Sequence, residues 1–110
     1  MLGTLHRVCA WLLVALGLVH IAFTPFAYRA FTQNALWFAG AGAALILCGF
    51  LNVAWLRNVG KDRVLWLFCL LANLMVCALF AATLFLMREP QVFVGLALSA
   101  FALVATARGK

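Results

Sequence analysis

Four long apolar runs, separated by three short polar turns that carry much of the charge, make up this chain. They span residues 8–27, 35–56, 64–87 and 91–107. Each is about long enough to cross a ~30 Å hydrocarbon core at ~1.5 Å per residue, the fourth at the short limit. The runs are continuous rather than alternating with period two, so helices and not a β-barrel are the spanning element expected. With 69% hydrophobic content in 110 residues, a water-soluble fold would have to hide its apolar surface inside a body too small for it. The expectation is a single all-α transmembrane domain covering residues 1–110.

The turns read as 28–34, 57–63 and 88–90. Asn34 is placed to cap the second helix, Gly60 suits a left-handed exit from it, Asp62 suits the cap of the third, and Pro90 suits a first helical position. Turns this short make successive helices antiparallel neighbours, hence an up-down-up-down four-helix bundle. An N-terminus inside leaves Arg7, Arg57, Lys61, Arg63, Arg108 and Lys110 on the cytoplasmic face and only Arg29 and Arg88 outside. That bias orients both termini to the cytoplasm. Trp11, Trp55 and Trp66 are expected near the inner interface, Trp37 and Tyr28 near the outer one. Residues 1–27 read as an uncleaved first helix: the apolar run is too long for a signal-peptide core, and no small-x-small site follows it.

The net charge of +6 fits topology signals and lipid headgroups rather than nucleic acid, because no basic stripe with interleaved aromatics accompanies it. Cys9, Cys48, Cys69 and Cys77 lie within the apolar runs without CxxC spacing, and read as packing residues rather than disulfides or metal ligands. No catalytic motif is present, and the two carboxylates, Asp62 and Glu89, both sit in turns. His6 and His20 are ~21 Å apart in helical rise and cannot jointly ligate one haem within a monomer. The sequence names no cofactor.

His20 is the ionisable group that lies well inside a span, which makes it a site candidate. Gly17 and Thr24 share its helix face, Pro25 follows, and Tyr28, Arg29, Gln33, Asn34, Arg88, Glu89 and Gln91 lie in the turns above it. A ligand site of His20, Thr24, Tyr28, Arg29 and Asn34 competes with a plain interhelical hydrogen bond from His20. Asn52 and Asn73 fall at similar depth on neighbouring helices and are expected to bond each other. Small residues at Gly17, Gly40, Gly42, Ala43, Gly49, Gly95 and Ser99, with pairs such as Gly40–Ala44 and Ala39–Ala43, suit close helix packing, within the bundle or in a dimer.

Length and span number are similar to the small multidrug resistance transporters, but the glutamate those carry in their first helix has no counterpart here, and the charge bias opposes dual insertion. The segment Gly17-Leu18-Val19-His20 with Pro25 after it, followed by the glycine-rich Trp37-Phe38-Ala39-Gly40-Ala41-Gly42 through Gly49, resembles the DoxX-like group of small bacterial four-helix inner-membrane proteins. That resemblance covers about half of the chain and implies a redox or accessory role. The function expected is a non-enzymatic inner-membrane subunit or accessory factor, with lipids, a second copy or another membrane protein as partner. The alternatives are a ligand- or quinone-handling protein with its site at His20, and a small solute transporter.

Overall fold

The computed structural model describes residues 2–109, with side chains from residue 3 onward. Four helices follow one another: α1 Leu2–Ala27, α2 Gln33–Leu56, α3 Arg63–Thr83 and α4 Pro90–Gly109. All four are long and apolar enough to cross a membrane, and many of their large apolar side chains point outward, among them Leu18, Phe23, Leu47, Met75 and Leu79. Only lipid would solvate such a surface. The body measures 46 × 22 × 22 Å.

The helix ends follow local chemistry. Thr32, in extended backbone, caps α2 by accepting a bond from the Ala35 N–H at 3.2 Å. Asn34, expected in that role, lies inside the helix, two residues past the cap, and Thr32 takes the bond from the Ala35 N–H in its place. Asp62 caps α3 through the Leu65 N–H, Gly60 takes φ +78° at the exit from α2, and Pro90 opens α4. α3 stops at Thr83, short of the apolar run's end at Met87. Leu84 to Met87 turn back on the carbonyls of residues 80–83, and the residue before Pro90 disfavours helical backbone. Hydropathy records solvent preference, so it carries no mark of that stop.

Each helix packs on its chain neighbour, and α1 also packs on α4, closing a ring. The α1–α2 seam is the most extensive. It runs antiparallel: Ala10 and Val14 meet Gly49, while Gly17 meets Gly42. A Cβ on Gly42 would lie 2.7 Å from the Gly17 carbonyl oxygen and 2.8 Å from the His20 Cβ, so backbones touch where side chains would stand. Gly95 instead makes room for the Phe80 ring between α3 and α4. Gly40 and Ala43 differ: both are exposed, and a Cβ on Gly40 would meet nothing within 4 Å. The two readings of the small-residue surface on α2 thus separate, with Gly42 and Gly49 serving the bundle and Gly40 and Ala43 facing away from it.

The apolar core centres on Cys9, Leu13, Leu45, Cys48, Val76 and Ala102. Trp55, one residue from the end of α2, is 2% exposed, its indole turned into the bundle. Its indole packs on Gly109 and lies 5.6 Å from the His6 ring. His6, Trp55 and Gly109 therefore gather at one end, which holds the start of α1 and the end of α4.

Candidate functional site

Two polar places stand out, one toward each end of the bundle. The first is a buried network near the end that holds the start of α1. Asn52 and Asn73 exchange two amide hydrogen bonds, Asn52 Nδ2 donating to Asn73 Oδ1 at 2.8 Å and Asn73 Nδ2 to Asn52 Oδ1 at 2.9 Å. The second N–H of Asn52 donates to the Cys48 carbonyl at 2.8 Å, and that of Asn73 to Thr106 Oγ1 at 3.0 Å. His6 Nε2 lies 2.8 Å from Asn52 Oδ1. An amide oxygen only accepts, so Nε2 carries the hydrogen. The thiols of Cys48 and Cys69 cap the two amide oxygens, on Asn73 at 3.1 Å and on Asn52 at 3.3 Å.

Every helix contributes: His6 from α1, Cys48 and Asn52 from α2, Cys69 and Asn73 from α3, Thr106 from α4. The groups are buried, and both amides use both of their N–H donors. Trp66 adds a bond from Nε1 to the Thr106 carbonyl at 2.8 Å, and Cys9 Sγ donates to the Leu98 carbonyl at 3.0 Å. Among the described residues one buried side-chain group is left over, the Trp55 Nε1–H, which has no partner there. The asparagine pair was legible from depth alone. His6 and Thr106 were missed because each lies a residue or two from a flanking arginine, where polar side chains are ordinary. The signal was periodicity, since Ser99, Ala102 and Thr106 follow one face of α4, and Cys48 stands one turn before Asn52.

The second place surrounds His20, which is 7% exposed. Its Nδ1 lies 3.1 Å from the Leu16 carbonyl, and its ring stacks on Phe38 with centroids 4.7 Å apart. The carbonyl bond puts a hydrogen on Nδ1. In the neutral tautomer this selects, Nε2 offers a lone pair, and it has no partner among the described residues. A groove of about 370 Å³ opens here, lined by Leu16, Val19, His20, Phe23, Phe38, Glu89 and Gln91. Glu89 Oε2 accepts from the Gln91 amide at 2.6 Å. Among the described residues the Glu89 carboxylate meets no cation.

Of the five residues proposed for a ligand site, His20 alone lines this groove. Thr24 donates to the His20 carbonyl at 2.8 Å, and Tyr28 packs its ring against Phe38. Arg29 and Asn34 are exposed and outside the groove. Glu89, in the third turn, and Gln91, in the first turn of α4, are the polar groups that join His20. The four side chains that complete the wall are apolar, and a search weighted toward polar residues passes over them. Among the described residues, no three His, Cys, Asp or Glu side chains are grouped to hold a metal ion.

Compared with known protein families, curated proteins and solved structures, the chain matches none.

Proposed function

We propose that this chain is a small helical subunit or accessory factor of a bacterial inner membrane, working by packing rather than by catalysis. It crosses the membrane as an up-down-up-down bundle with both termini in the cytoplasm, the arrangement that the bias of basic residues favours. The observation that carries this reading is the interior network, whose imidazole, amides, hydroxyl and thiols are engaged with one another across all four helices. Such a centre fastens helices. The resemblance to the DoxX-like group agrees with an accessory role.

The partner surface would include the outward Gly40 and Ala43 of α2, which the bundle leaves uncovered. Purification in mild detergent followed by native mass spectrometry tests this. A defined homo-oligomer or a stoichiometric complex is expected, dispersed by Gly40→Leu and Ala43→Leu without loss of thermal stability. A monomer whose behaviour neither substitution alters would refute it.

A second reading, ligand handling at His20, is favoured by the open groove beside its unpartnered Nε2. Its test is retention of any amphiphile through purification and the loss of that retention when the groove is blocked.

A further inference from the structure

We propose that the His20 groove receives a primary ammonium carried on a hydrocarbon chain; the proposal rests on the ligand-handling reading and names its chemistry. The walls decide the body of the ligand. Leu16, Val19, Phe23 and Phe38 present hydrocarbon and aromatic surface, and Val19 and Phe23 are 61% and 55% exposed. An acyl or alkyl chain lying along α1 meets them directly from the lipid side.

The polar groups decide the head. Nδ1 of His20 is committed as a donor to the Leu16 carbonyl, which leaves Nε2 as an acceptor. Glu89 brings carboxylate oxygens, which only accept, and a negative charge uncompensated by any cation among the described residues. Arg29 and Arg88 are absent from the lining. The site thus offers two acceptors and one negative charge, in a chain whose net charge is +6. The complementary head is a cation that carries N–H donors, which a primary ammonium supplies and a quaternary one does not. An anionic head would meet Glu89 without a compensating charge. A neutral alcohol would satisfy His20 and leave Glu89 unanswered.

That head occurs on a membrane lipid, phosphatidylethanolamine, and on free long-chain amines. The full chain in neutral detergent is examined by native mass spectrometry with phosphatidylethanolamine, phosphatidylcholine or phosphatidylglycerol at equal concentration. A parallel series uses dodecylamine and dodecanol. Charge-assisted hydrogen bonds give an expected preference of about tenfold for phosphatidylethanolamine over phosphatidylcholine, or for dodecylamine over dodecanol. A preference in the lipid series alone assigns the headgroup as the source, one in the amine series alone assigns a free amine, and either supports the proposal. Glu89→Gln and His20→Phe should bring the preferred pair to parity at an unchanged melting temperature.

Equal retention within both pairs, or dominance of phosphatidylglycerol, overturns the ammonium assignment. If that unselective retention disappears in Val19→Trp, which fills the groove from an exposed position, the ligand-handling reading survives without it. If no amphiphile is retained above the level of Val19→Trp, both readings fall together.

Discussion

Replacing Asn52 by leucine tests whether the buried network holds the bundle together. Leucine keeps the branching of the side chain and removes its polar atoms. Asn52 Oδ1 takes hydrogen from His6, Asn73 and Cys69, and its Nδ2 reaches Asn73 and the Cys48 carbonyl. The substitution therefore orphans two strong donors, the His6 Nε2–H and one Asn73 N–H. An orphaned buried donor costs about 1–3 kcal/mol in a water-soluble protein. Within bilayers an interhelical bond contributes on average about 0.6 kcal/mol and at most about 1.7, because the separated helices find other partners. Two such losses give about 1–3 kcal/mol for Asn52→Leu. Asn73→Leu should cost about 1–2 kcal/mol, since it strands fewer donors. The double variant should cost less than the sum, by about 1 kcal/mol, because each substitution removes groups that the other leaves unpaired. The assay is reversible unfolding in mixed micelles by a denaturing detergent, followed by tryptophan fluorescence and helicity. A single-variant loss below about 0.3 kcal/mol, or strict additivity in the double variant, would refute the network as a fastening.

Three further outcomes are expected. Gly42→Ala should destabilise by about 1–3 kcal/mol, because its methyl would meet the Gly17 carbonyl, whereas Gly40→Ala, in open space, should stabilise by up to about 1 kcal/mol; melting temperatures that move in the same direction would contradict the assigned faces. Asp62→Ala should cost about 1 kcal/mol through loss of the cap on Leu65, and a cost below about 0.3 kcal/mol in the same unfolding assay would count against that cap. A phosphatase fused after residue 110 should be inactive and a fluorescent protein there bright; strong phosphatase activity would reverse the proposed orientation.

The spans were legible because lipid imposes a length and an apolar composition that no other constraint imitates. Asn52 and Asn73 were legible because polar side chains deep in hydrocarbon need partners, and depth along antiparallel helices pairs them. The rotational setting of α2 was not. Ala39, Gly40, Gly42, Ala43 and Ala44 place small residues around most of the helix, so composition singles out no face, and contact with α1 selects Gly42 and Gly49. The site at His20 was half legible. The histidine announced itself by its depth, while the groove depends on where the start of α4 lands beside α1. The residues Leu16, Val19, Phe23 and Phe38 look like ordinary membrane surface until then.

The division of the network between the two halves of the chain carries an implication for assembly. His6, Cys48 and Asn52 belong to the first helical hairpin, and Cys69, Asn73 and Thr106 to the second. Four of the hydrogen bonds pass between the halves, all through the asparagine pair. A hairpin inserted alone would carry a half-satisfied amide in hydrocarbon, poorly stored and able to recognise the other half. Docking of the two hairpins is then the step at which the chain proofreads itself: a neighbour that is merely apolar can bury the same surface but cannot answer the amide. Separately expressed halves, cut in the turn at Gly60, should find each other in the membrane, and Asn73→Leu in one half should cost them that selectivity before it costs either half its helices.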